Sequence, residues 1–263
     1  MNMPDQTLTH MQSPVIFLHG SERMLFPELN SPVLIILKEG VFRPDEIARL
    51  ESFLSKDETV KSRRFKFSRD RVSYIMVHGV LRLMLGRHLG ISPQAVKITY
   101  NSFGRPYISG YSRQVFFNLS HSSGISVLAF DPGYEIGVDV ERIDDEFEYE
   151  SIVNIFFSKR EIRYIQQVKE KSRNRFYEIW TRKEAFLKAE GIGITENLQV
   201  EVLKESIKGN AIKGNRSDGR EFLFWSVVFE QNYRITLAMG KDSGGIREFV
   251  IGNNENGLPI RET

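Results

Sequence analysis

The sequence predicts an α+β fold built from two halves. Two observations carry that reading: a helical pattern followed by several strand patterns occurs twice, and the Asp131-Pro132-Gly133 turn falls between the two sets. There is no clear internal repeat and no linker rich in Pro, Gly or Ser. The boundaries that follow are an extension of unknown role over residues 1–30, a first α+β half over 31–133, a second over 134–245, and a polar tail over 246–263.

Taken in order, residues 33–37 (Val-Leu-Ile-Ile-Leu) read as a short buried strand between Pro32 and Gly40. Pro44-Asp45-Glu46 opens a helix to about residue 55, with Ile47, Leu50 and Leu54 at helical spacing. A longer helix is predicted over 70–89. Its apolar stripe is Ile75, Val80, Leu81, Met84, Leu85 and Leu89, and Gly90 stops it. Strand patterns follow at 96–100, 115–119, 125–130 and 136–143. A third helix spans 174–190 and ends at Gly191-Ile192-Gly193; strands are expected at 198–203, 222–229 and 233–239.

Composition narrows the chemistry. At 41% hydrophobic residues over 263 positions a sizeable core is available, and 19 Phe with 9 Tyr argue against disorder. Lys plus Arg (36) against Asp plus Glu (34) leaves +2, too balanced for a nucleic-acid coat. With no cysteine, thiolate metal sites, disulfides and a Cys nucleophile are excluded, so any metal sits on oxygen or imidazole ligands. No apolar run approaches the roughly 18 residues a spanning helix needs, and no basic stretch precedes residues 15–18, so a cytoplasmic protein that engages no membrane is expected.

Charge is segregated. Lys61, Arg63, Arg64, Lys66, Arg69, Arg71, Arg82 and Arg87 face the single acid Asp70, whereas Asp139, Glu141, Asp144, Asp145, Glu146, Glu148 and Glu150 face Arg142 alone. Either run could be a solvated face. Together they describe an anion site and a cation site, which suits a phosphorylated, metal-bound ligand.

Three segments carry chemistry. In Gly137-Val138-Asp139-Val140-Glu141, strand alternation puts Asp139 and Glu141 on one face and both valines in the core. Two carboxylates at i, i+2 suit Mg²⁺, though an edge strand's wet face would look the same. In the predicted third helix Trp180, Glu184 and Lys188 share a face beside Phe176 and Leu187, at the edge of a buried stripe; a surface Glu–Lys pair is the plainer alternative. Phe116-Phe117-Asn118-Leu119-Ser120-His121-Ser122-Ser123-Gly124 runs a strand into small donors and an imidazole, as an anion-facing strand end or a hydroxyl-capped turn would.

In this order, Phe-Asn-Leu-Ser-His-Ser, Gly-Val-Asp-Val-Glu and Trp-Thr-Arg-Lys-Glu-Ala-Phe-Leu-Lys-Ala-Glu-Gly-Ile-Gly resemble the 4′-phosphopantetheinyl transferases of the Sfp type across roughly residues 33–240. The resemblance implies two α+β halves related by pseudo-twofold symmetry, with coenzyme A in the cleft between them. It implies transfer of the phosphopantetheine arm to a serine of an apo acyl, peptidyl or aryl carrier protein by a monomer, releasing 3′,5′-ADP. Asp139, Glu141 and Glu184 would bind Mg²⁺ (or Mn²⁺), Glu184 would also serve as base, and Lys188 would lie beside the reacting phosphate. Ser120 and His121 would contact coenzyme A phosphates, Gly104, Arg105 and Pro106 would border the nucleotide, and Lys61 and Arg64 would add phosphate contacts. The family commonly has Gly-Lys-Pro where this chain has Gly104-Arg105-Pro106, and often a basic residue near Glu58. Two other readings use the same residues: a different Mg²⁺-dependent phosphoester enzyme such as a nuclease, and a non-enzymatic module whose basic patch docks an acidic partner.

Overall fold

The computed structural model describes residues 15–17, 29–30, 32–40, 42–192, 200–203, 212–215, 221–240 and 261–262. Most of the expected extension and tail lies outside them. The chain begins with β1 (Val15–Phe17) and β2 (Val33–Lys38), followed by α1 (Pro44–Glu51), α2 (Lys56–Ser62) and α3 (Ser68–Leu89). A 3₁₀ turn at Pro93–Ala95 leads to the hairpin β3 (Ile98–Tyr100) and β4 (Pro106–Ile108), then to β5 (Phe116–Ser122) and β6 (Ile125–Asp131). Next come β7 (Ile136–Arg142), α4 (Glu150–Phe156), α5 (Lys159–Gln166) and α6 (Ser172–Glu190). The last strands are β8 (Ile212–Asn215), β9 (Glu221–Phe229), β10 (Tyr233–Gly240) and β11 (Arg261–Glu262).

Two sheets result, the α+β arrangement expected. One runs β1-β2-β6-β5; the other runs β11-β9-β10-β7, with β8 on the far side of β9. Alternation along the strands sorts their side chains into three cores. Val33, Ile35 and Leu37 of β2 pack with α3, while Leu34 and Ile36 face Val138, Val140, Val227 and Ile235 of the other sheet. Phe222, Phe224 and Ala238 turn away toward α6. The order is therefore helix, sheet, sheet, helix. Both sheets are covered on both faces, and each fully buried aliphatic side chain in them contributes about 1.5–3 kcal/mol.

The sheets meet along β5 and β7, which are joined through side chains. Asn118 Oδ1 accepts from the Val138 amide at 3.2 Å, and Ser122 Oγ accepts from the Arg142 amide at 3.1 Å. On the other face of β7, Gly137 is where α6 passes closest. A Cβ there would stand 2.0 Å from the Ala185 carbonyl oxygen and 2.5 Å from the Ala189 amide, so only glycine admits the helix. Gly191, at φ +68°, ends α6 in the left-handed conformation.

Several elements differ from expectation. α2 and α5 were not expected, although each opens on a capping box: Ser55 with Glu58, and Ser158 with Glu161. β4 and α4 were likewise not expected from the pattern. Residues 200–203 form no strand; the main chain there serves buried side chains instead, the Val202 amide donating to Glu161 and the Val200 carbonyl accepting from Lys183. Among the described residues no helix is long and apolar enough to cross a membrane.

Candidate functional site

β7 and α6 bring three carboxylates into one buried place. Asp139 is 2% exposed and Glu184 7% exposed. Asp139 Oδ1 accepts from Lys188 Nζ at 2.7 Å and from Ser120 Oγ at 2.9 Å, and Lys188 Nζ also reaches Ser120 Oγ at 2.9 Å. Asp139 Oδ2 is buried and, among the described residues, has no hydrogen-bond partner. Glu141, two residues along β7, accepts from Ser122 Oγ at 3.1 Å.

The electrostatics are those of a site short of positive charge. Burial first, and then the charge of Asp139, push Glu141 up to about 7 against the ordinary 4.5. The same two causes push Glu184 up to about 7, with Glu141 adding to the repulsion and Lys188 opposing it. One ammonium does not neutralise three acids. Two like charges about 4 Å apart repel by roughly 4 kcal/mol at an effective dielectric near 20. Hard carboxylate oxygens, one of them orphaned and buried, form a donor set that fits a divalent cation such as Mg²⁺. Among the described residues no group of three or more His, Asp or Glu side chains is already arranged to hold a metal ion, and the Lys188 ammonium stands at Asp139.

Cavities open on either side of these acids. A cleft of about 380 Å³ is lined by Lys61, His78, Gly104, Arg105, Pro106 and Lys188, with Asn118, Tyr100 and Phe103 among its other walls, and among the described residues no carboxylate lines it. A second cavity of about 490 Å³ has Glu141, Asp144, Asp145 and the rings of Phe147, Phe176 and Trp180 in its wall. The first is cationic, the second acidic and aromatic. The loop at 101–105 closes the cationic cleft onto α6. Asn101 Oδ1 accepts from the Phe103 and Arg105 amides, and its Nδ2 donates to the Gly191 carbonyl at 2.7 Å. Arg105 Nη1 donates to the Ala189 carbonyl at 2.7 Å. Side chains from the loop thus cap the helix that carries Glu184 and Lys188.

Of the residues singled out in the sequence, Asp139, Glu141, Glu184, Lys188 and Ser120 come together, and Lys61, Gly104, Arg105 and Pro106 line the adjoining cleft. Arg64 and His121 do not. Arg64 lies exposed just past the end of α2, and His121 points to solvent because strand alternation sends it away from Ser120. Among the described residues neither lines the two cavities. Sequence reasoning missed His78 and the buried cluster behind it. Glu58 accepts from the Ser55 amide, pairs with Arg82 Nε, and lies 3.2 Å from His78 Nδ1. The Ser55-x-x-Glu58 spacing was the available signal for Glu58; nothing local marks His78.

Residues 135–238 match the family model described as the 4′-phosphopantetheinyl transferase superfamily, and residues 43–133 match that of the 4′-phosphopantetheinyl transferase N-terminal region. The chain is 33% identical over 160 residues to 4′-phosphopantetheinyl transferase HetI of Nostoc sp., which covers 60% of this chain and 68% of that protein. It is 30% identical over 152 residues to 4′-phosphopantetheinyl transferase Sfp of Bacillus subtilis, covering 57% of this chain and 66% of the relative. It is 21% identical over 229 residues to the L-aminoadipate-semialdehyde dehydrogenase-phosphopantetheinyl transferase of Mus musculus, covering 80% and 74%.

Proposed function

This chain belongs to the 4′-phosphopantetheinyl transferase superfamily, and from that membership we propose that it moves the phosphopantetheine arm of coenzyme A onto a serine of an apo carrier protein, releasing 3′,5′-ADP. The observation that carries the reading is the pair of glutamates held near 7 beside an aspartate with an orphaned, buried oxygen, between a cationic cleft and an aromatic one. Such a site accepts a diphosphate on one side and a neutral chain on the other.

In this reading Asp139, Glu141 and Glu184 would hold Mg²⁺ or Mn²⁺, which together with Lys188 would offset the three acids and would polarise the phosphoryl oxygen. Phosphoryl transfer needs chiefly positioning and charge neutralisation. The cleft wall at Lys61, Gly104, Arg105 and Pro106 seats the nucleotide, and Lys188 stands against the diphosphate. The serine oxygen of the carrier attacks the phosphorus that bears the pantetheine arm, and the bond to the 3′,5′-ADP oxygen breaks. Glu184 takes up the serine proton as the general base. Lys188 offsets the charge that grows on the departing nucleotide. Ser120, which donates to Asp139, fixes that carboxylate's orientation.

The carrier side is supported by the exposed basic run at the end of α2, Lys61, Arg63, Arg64 and Lys66, beside the exposed Phe67, over whose ring Lys66 Nζ lies at 5.5 Å. Opposite charge would steer an acidic carrier to it. We take the two halves to be related by a pseudo-twofold axis and the enzyme to act as a cytoplasmic monomer without nucleic acid or membrane. The decisive experiment mixes the protein with coenzyme A, Mg²⁺ and a panel of apo carriers. Mass spectrometry should find one or more carriers heavier by about 340 Da, the transferred arm. Cleavage of nucleic acid under the same conditions, with no carrier modified, would favour the nuclease reading instead.

A further inference from the structure

We propose that His78 is a specificity-determining residue of the cleft, a donor to the ribose 3′-phosphate of coenzyme A that is oriented by Glu58; the proposal rests on reading the cleft as the coenzyme A site. His78 lines the cleft with Lys61, and its side chain is 17% exposed. Its ring is fixed from two directions. It stacks on Tyr74 with centroids 4.0 Å apart and planes 28° apart, and its Nδ1 lies 3.2 Å from Glu58 Oε1. Among the described residues no hydrogen bond engages its Nε2.

The surroundings determine what that nitrogen can serve. The charged and titratable groups around the ring are Glu58 and Lys61 from α2, Tyr74 and Arg82 from α3, and Tyr100 from β3. Arg82 is spoken for: Nε pairs with Glu58, and Nη1 donates to the carbonyls of Pro93 and Val96. Lys61 lies over the Tyr74 ring at 5.3 Å and remains exposed. With Nδ1 turned to Glu58, the opposite nitrogen is the one presented to a ligand. Contact with both partners at once uses both ring nitrogens as donors, Nδ1 toward the Glu58 carboxylate and Nε2 toward the phosphate.

Placement follows from the ligand's own charges. Coenzyme A carries a diphosphate and, apart from it, a ribose monophosphate. Lys188 marks the end of the cleft beside the carboxylates, where the diphosphate must react. His78 and Lys61, on α3 and α2, form a separate wall for the monophosphate.

Dephospho-coenzyme A, which lacks only the 3′-phosphate, isolates the contact. Calorimetric titration of wild type, His78→Phe and His78→Gln with both ligands is the test. Phenylalanine keeps the stacking on Tyr74 and removes the donor, so affinity for coenzyme A should fall about tenfold, the worth of one charge-assisted hydrogen bond, while that for dephospho-coenzyme A holds. Glutamine, which retains an amide donor, should recover part of the loss. Equal losses for both ligands, or no loss for either, in both variants would overturn the assignment of His78 while leaving the cofactor reading intact. A wild-type protein that binds neither ligand would overturn both.

Discussion

Glu58 and Glu184 are both buried glutamates, yet their surroundings drive them in opposite directions. Burial alone would raise Glu58, but hydrogen bonds from His78, Arg82 and the Ser55 amide outweigh it and bring the carboxyl down to about 2. Glu184 is buried beside Asp139 and Glu141 and rises to about 7. The α2–α3 region satisfies its buried acid; the β7–α6 region crowds three acids around one lysine. A further buried pair follows the first pattern: Glu161, which caps α5, meets Lys183 Nζ at 2.9 Å with both side chains fully buried. Satisfied acids support the fold, and crowded acids await a cation and a substrate.

The contrast can be broken most sharply at Asp139. Asp139→Asn removes the charge that raises both neighbouring glutamates and the oxygen that has no partner. Carrier modification should fall by about 10³-fold or more, since several kcal/mol of charge stabilisation is lost. Thermal stability should hold or rise, as like-charge repulsion is relieved. A loss of stability in step with activity would place Asp139 among the satisfied acids.

The opposite substitution is Glu58→Gln. It strands the Arg82 guanidinium, which is 4% exposed, and should destabilise the protein by about 3–5 kcal/mol in urea unfolding. The pH dependence has a definite sign. With a folded value of about 2 against an ordinary 4.5, Glu58 contributes its stability fully above 4.5 and loses it as pH falls toward 2, about 3 kcal/mol in all. That loss should be missing from the Glu58→Gln profile. A wild-type curve of the same shape as the variant's would show that Glu58 is no better paired than Glu184.

The elements legible in the sequence were those whose side chains announce a face: the alternation of 136–143, the stripe of α3 and the motif of α6. What escaped did so for physical reasons. α2 is too short and polar for periodicity to mark it, and only its capping box could have revealed it. Arg64 and His121 belong to suggestive motifs, but one falls past a helix end and the other on the outward side of a strand. His78 became visible only when α2 and α3 were packed together, because its partner Glu58 lies 20 residues away.

The smallest expected effect concerns the exposed basic patch. Lys66→Glu should lower kcat/KM for an acidic carrier about fivefold at low ionic strength, and the difference should vanish near 0.5 M salt. A reduction that survives high salt would indicate a direct contact rather than steering.

The central claim is that Asp139, Glu141 and Glu184 share one divalent cation. Mn²⁺ titrated into the protein with coenzyme A, followed by electron paramagnetic resonance, tests it directly. The account predicts about one tightly held ion per chain in wild type and its loss in both Asp139→Asn and Glu184→Gln. Equal binding by all three proteins, or none by any, would contradict it.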